Sequence, residues 1–129
     1  MTITNLQPES IQPPILNTEQ LEELLMLGAT DYVEVRNDVM ECVPTHIRLI
    51  RKAIQDGNAK QLRTEAHSLH GVVAILGAET IIQKLNALRQ QELPEPTNAE
   101  AIQTQFETLW QQTLIAIQQW EKAKPELAT

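Results

Sequence analysis

The sequence predicts an all-α protein, an up-down-up-down four-helix bundle with an additional short N-terminal helix. Three observations predict it. Apolar residues recur every three or four positions through four long segments, the spacing of one helical face. No segment keeps the period-two alternation of a half-buried strand over a useful length. Aromatic residues make up only 3% of the 129 residues, so leucine, isoleucine and valine must fill the core, and long amphipathic segments joined by short connections pack most simply as antiparallel neighbours.

Residues 1–16, with Pro8, Pro13 and Pro14, read as an irregular lead. Asn17 or Thr18 can cap a short first helix through Leu21, Leu24, Leu25 and Leu27, with Gly28 as its stop. Asp31, with Glu34 three residues on, suits the start of a second helix whose stripe is Tyr32, Val35, Val39, Cys42, Val43, Ile47, Ile50 and Ile54. Pro44 removes a backbone donor and crowds the preceding turn, so a kink or short break is expected there. Asp56-Gly57 ends the element. Asn58 can cap a third helix, in which Leu62, Ala66, Leu69, Val73 and Leu76 step by four, three, four and three, and Gly77 stops it. A fourth helix runs through Ile81, Ile82, Leu85 and Leu88 until Leu93-Pro94-Glu95-Pro96 forces an extended connection. Asn98 starts the last helix, through Ile102, Phe106, Leu109, Trp110, Leu114, Ile117 and Trp120, before Pro125. The bundle domain is therefore expected over 17–124, with a tail at 125–129.

A chain of this length supports one core, which argues against an enzyme with separate cofactor and substrate domains. No apolar run approaches the ~18–20 residues of a membrane span. Residues 1–16 carry neither the basic flank nor the apolar core of an export signal, so the chain reads as cytoplasmic. Cys42 is the single cysteine, excluding an internal disulfide, and it is expected as a buried small hydrophobe. A net charge of −7 opposes nucleic-acid binding. The charge is uneven, however. Between residues 48 and 89 there are seven bases (Arg48, Arg51, Lys52, Lys60, Arg63, Lys84 and Arg89) against three acids, a local +4 that leaves −11 for the remainder. Such a basic island suits an acidic partner or a phosphoryl group.

The run Ala66-His67-Ser68-Leu69-His70-Gly71 lies inside this island. On a helical wheel His67 falls about 140° from the centre of the apolar stripe, so it points outward. Arg63, Gly71 and Ala74 share its sector, Lys60 lies behind them, and His70 sits at the border with the core stripe. Glycine inside a helix costs about 1 kcal/mol relative to alanine. One placed four residues after an outward histidine leaves the imidazole almost without a wall on its C-terminal side. A neutral imidazole is a good nitrogen nucleophile at cellular pH and can hold a phosphoryl group as a phosphoramidate, and the cations of Lys60, Arg63 and, when protonated, His70 would offset its charge. The chain has no Gly-rich phosphate loop with a following Lys-Ser or Lys-Thr, so it is expected to accept and pass on a phosphoryl group without taking one from ATP unaided.

Ala66, His67, Leu69, Gly71, Leu76, Gly77 and Ala78 stand where the signature of the histidine-containing phosphotransfer (HPt) domain family has Ala-His-x-Leu-Lys-Gly and, after small or apolar residues, Leu-Gly-Ala. The chain resembles that family from about Asn17 to Lys124, including the Pro44 position and the Ala-Ile-Gln-Asp-Gly-Asn link. The resemblance implies a carrier that accepts a phosphoryl group on His67 from a receiver-domain aspartate and returns it to another receiver. The partners implied are receiver domains of hybrid sensor kinases and response regulators, which would supply Mg²⁺, so that the chain itself needs no cofactor; a monomer is expected. Two positions depart from the pattern. His70 replaces the usual lysine, and Val72 and Val73 follow where small, often polar residues are usual. The wheel puts Val73 in the core and Val72 towards a neighbouring helix.

Other readings use the same residues. His67 and His70, three apart, could form half of a metal site, but no second pair stands out and no metal ligand set is assigned. In the dimerisation helix of sensor kinases an acidic residue commonly follows the histidine; here it is Ser68. A non-catalytic helical adaptor that docks to receiver domains is the remaining alternative.

Overall fold

The computed structural model describes residues 14–127. Five helices follow one another: α1 (Thr18–Leu25), α2 (Ala29–Gln55), α3 (Ala59–Ile75), α4 (Glu79–Gln90) and α5 (Ala99–Lys122), with single 3₁₀ turns at Pro96–Asn98 and Pro125–Leu127. This is the expected all-α bundle. Each of the four long helices packs on its neighbours in sequence and α5 closes the ring on α2, while α1 lies against α2 and α3. Among the described residues no strand forms; an isolated bridge joins Leu16 to Ala78. Of the expected irregular lead, residues 1–13 lie outside the described part, as do residues 128 and 129 of the tail.

Most of the periodic residues do what their spacing dictates; Leu27 falls past the end of α1 and is 63% exposed. Val39, Val43, Ile47, Ile50 and Ile54 of α2, Leu62, Ala66, Leu69 and Val73 of α3, Ile81, Leu85 and Leu88 of α4, and Phe106, Trp110 and Ile117 of α5 are buried in one core, to which α1 adds Leu21, Leu24 and Leu25. Burying each larger aliphatic side chain contributes about 1.5–3 kcal/mol. Tyr32 is wholly buried apart from its role at the rim: its hydroxyl donates to Glu121 Oε2 at 2.8 Å, and Arg36 donates to the same oxygen at 2.9 Å. Burial, and then the bond to Glu121, push the phenol pKa upward, so Tyr32 remains a donor that ties α2 to the end of α5.

Several local expectations are corrected. α2 runs unbroken through Pro44. Pro44 and Met40, whose carbonyl loses its amide partner, are both exposed, so the lost bond falls on the solvent side while Val39, Val43 and Ile47 hold the buried side. Cys42 is exposed because it lies a residue off the stripe that Val39 and Val43 define. α2 starts at Ala29 with Gly28 as its N-cap, at φ +114°, and Asp31 sits in the first turn, where its charge suits the helix dipole. Asn98 flanks the start of α5 as expected but makes no side-chain capping bond, because its backbone, at φ −91° and ψ −1°, lies in the right-handed helical region and not the extended one that capping uses. Asn17 and Asn58 do cap, accepting from the amides of Glu19 (3.1 Å) and Gln61 (2.9 Å).

Gly77 has two tasks. It ends α3 in the left-handed region at φ +67°, and its bare Cα admits the lead segment: a Cβ there would sit 2.5 Å from the Asn17 carbonyl oxygen. The close approach permits two backbone bonds, Asn17 N–H to the Gly77 carbonyl at 2.7 Å and Glu79 N–H to the Ile15 carbonyl at 3.0 Å. The second bond satisfies an amide at the start of α4, where Ala78 offers no capping side chain. Gly77→Ala is therefore expected to lower unfolding free energy by about 2 kcal/mol or more with helical content retained, measured by urea denaturation followed by circular dichroism.

Candidate functional site

All six residues singled out in the sequence, Lys60, Arg63, His67, His70, Gly71 and Ala74, lie on α3. The burial of Leu62, Ala66, Leu69 and Val73 fixes the rotation of this helix. Lys60, Arg63, His67 and Gly71 are consequently exposed, while His70 and Ala74 are half-buried at the edge of the core. Val73 is in the core and Val72 packs against it, as the wheel places them. The helix presents these residues along ~21 Å of its length.

The two flanks of this exposed face differ. On the α2 side, His46 Nδ1 and Glu65 Oε1 approach to 3.2 Å, and Gln61 donates to the other oxygen of Glu65 at 2.8 Å. This cluster occupies the polar groups of that flank. On the α4 side, Arg63 lines a groove with Asn86, Arg89 and Gln90. His67 lies between the flanks and makes no hydrogen bond or ion pair among the described residues, so a ring nitrogen is available to an incoming group.

Space around the imidazole is set by Gly71, one turn on. A Cβ at Gly71 would meet nothing within 4 Å. No contact inside the protein requires a glycine at this position, in contrast to Gly77. Ala74 continues the low surface, and Ile75 beyond it is 38% exposed. The histidine thus has cations towards the start of α3 and small or apolar residues towards its end.

Among the described residues no group of three or more His, Cys, Asp or Glu side chains could hold a metal ion, so the His67 and His70 pair gains no third ligand there. No helix among the described residues is long and apolar enough to cross a membrane. The contribution of α4 is not evident from helix period. Arg89 belongs to the basic island, and the signal that places it here is register: in an antiparallel pair turning at Gly77, positions 63 and 89–90 lie nearly equally far from the turn.

Fold and site define a class, a helical bundle that presents one open histidine on the outer face of its second long helix. The model of the Hpt domain family matches residues 34–120, more than half of the chain, and the chain belongs to that family. Its role is accordingly histidine phosphotransfer in a phosphorelay, in interaction with receiver domains of two-component systems. No curated protein and no solved structure matches the chain. The matched span begins inside α2, so α1 lies before it, although Leu21, Leu24 and Leu25 share the same core.

Because the site of a Gly71 Cβ is open and the residue is helical, Gly71→Ala is expected to stabilise the protein by up to about 1 kcal/mol. A urea titration of the variant checks this, and destabilisation would show that the space beside His67 is not free.

Proposed function

We propose that His67 is the phosphoryl-accepting residue, receiving the group from a receiver-domain aspartyl phosphate and returning it to the aspartate of another receiver. The observation that carries this reading is the open position at Gly71 one turn from an exposed, unpartnered histidine, in a chain of the Hpt family. A ring nitrogen of the neutral imidazole attacks phosphorus, the N–P bond forms as the acyl P–O bond breaks, and the aspartate leaves as carboxylate with the electron pair. Return of the group reverses these changes. Mg²⁺ is expected to come with the receiver. From this chain come orientation, through the fixed rotation of α3, and positive charge, through Arg63 one turn before His67 and Lys60 a further turn away. Gly71 and Ala74 leave room for the partner's surface to close over the ring.

Incubation with a phosphorylated receiver domain tests the reading. Label is expected on the wild-type protein and absent from His67→Gln; label on both would move the acceptor to another residue, and label on neither would leave a receiver-binding adaptor. A second expectation concerns His70, half-buried one turn from His67. A lysine at this position carries a permanent charge. His70→Lys is thus expected to be labelled faster than the wild type at one fixed pH, measured from initial labelling rates; equal rates would remove position 70 from the electrostatics of the step.

A further inference from the structure

The groove at Arg63, one helical turn before His67, is lined by four donor-bearing side chains, Arg63 from α3 and Asn86, Arg89 and Gln90 from α4, and by no carboxylate. A contiguous recess continues past both arginines to Leu62, Leu88 and Leu93, again with no acid. In a protein of net charge −7 the feature that sets this groove apart is two arginines facing one recess with no acid in its lining; three of the ten lysines and arginines pair with a carboxylate, Arg36 with Glu121, Lys52 with Asp56 and Lys124 with Glu22. Arg63 and Arg89 form no ion pair among the described residues. Two guanidiniums from different helices lining one recess repel each other, and an anion between them would relieve that repulsion.

We infer that this groove is a docking subsite for an acidic side chain of the phosphotransfer partner, with Arg89 as a specificity-determining residue that α4 contributes. The inference rests on the proposed role of His67 and adds to it where the partner's charge must fall. Both arginines are exposed, and exposed charges hold a free ion only weakly. A carboxylate carried on a docked protein differs, since the rest of the interface has already restricted it and excluded part of the water. Charge complementarity of this kind governs association rate and the choice between partners more than intrinsic chemistry. Arg63 lies one turn before His67 and can serve the phosphoryl group as well as the groove. Arg89 is on the other helix, so its effect is expected in recognition.

The test is transfer kinetics from a phosphorylated receiver domain of the same organism to the full chain, with the receiver concentration varied. Arg89→Glu is expected to raise KM roughly tenfold, with kcat changed less than about twofold and Arg89→Lys restoring most of the loss. The wild-type kcat/KM should fall between 50 and 300 mM NaCl, and that of Arg89→Glu should be much less sensitive. Lys122→Glu makes the same change in net charge on exposed α5 surface outside the groove and outside the basic island and should leave KM near the wild-type value. A wild-type KM in Arg89→Glu, or an equal rise in Lys122→Glu, overturns the inference. Labelling of the wild type and of His67→Gln by the phosphorylated receiver separates the two readings. If neither is labelled, or both are, the acceptor role of His67 fails, and calorimetric binding of the unphosphorylated receiver still decides the groove: weaker binding by Arg89→Glu alone supports it, and equal or absent binding by all variants overturns it.

Discussion

The site depends on the rotation of α3 about its own axis. Leu62, Ala66, Leu69 and Val73 step by four, three and four residues and are buried against the rest of the bundle. Turning the helix by one residue, ~100°, would take these side chains out of the core and carry polar neighbours towards it. A buried polar group without a partner costs several kcal/mol, on top of the apolar burial lost. Packing therefore holds His67 outward, and no hydrogen bond to the imidazole is needed to do so. Ala66, adjacent to His67 and fully buried, contributes by being small: a methyl group at the helix interface lets the neighbouring helices close on α3 without displacing the residue beside it.

A second constraint sets height along that axis. The junction of Gly77 with the lead segment fixes where α3 stops and α4 starts, since the Asn17 carbonyl occupies the space that a side chain would fill. From that fixed turn the antiparallel pairing of α3 and α4 follows, and with it the meeting of Arg63 with Asn86, Arg89 and Gln90. The lead thus bears on the site through backbone geometry and one core side chain: the Ile15 carbonyl takes the place of a capping side chain at α4, and Leu16 closes the core behind it. The glycines at 71 and 77 make opposite demands. One is required by a contact inside the protein, whereas the other touches nothing that a methyl group would disturb.

Much of this was legible in the sequence because it depends on period. The stripe of α3 places His67 outward and His70 at the border, and the short side chains of Asn58 and of Asn17 or Thr18 have the reach that the first amides need; of the latter two it is Asn17 that caps. What period could not show falls into two kinds. At Pro44 the local cost was readable but not the packing of Val39, Val43 and Ile47 that outweighs it. At Arg89 the residue type was plain, but its position beside Arg63 depends on the register of two helices, which follows from the Gly77 junction and not from either helix alone. Cys42 shows the limit of a residue-type prior: cysteine is often buried, and here a displacement of one position from the stripe exposes it.

The departure at His70 and the groove at Arg89 bear on one question, which is where positive charge stands around the imidazole. With a lysine three residues after His67, permanent charge would lie on both sides of the ring. Here the permanent cations, Lys60, Arg63 and Arg89, stand towards the start of α3 and the end of α4, and the opposite side offers Gly71, Ala74 and the part-exposed Ile75. Such a surface is directional. A partner that sets a carboxylate against the arginines and an apolar patch against Gly71 and Ala74 satisfies both ends, while the reversed orientation would desolvate that carboxylate over small apolar residues without a counter-charge. The penalty for the wrong orientation arises from unpaired charge and not from lost contact area. For the acceptor role proposed for His67, concentrating the cations on one side would make the partner's approach selective in direction, while the low surface at Gly71 would keep the ring itself within reach.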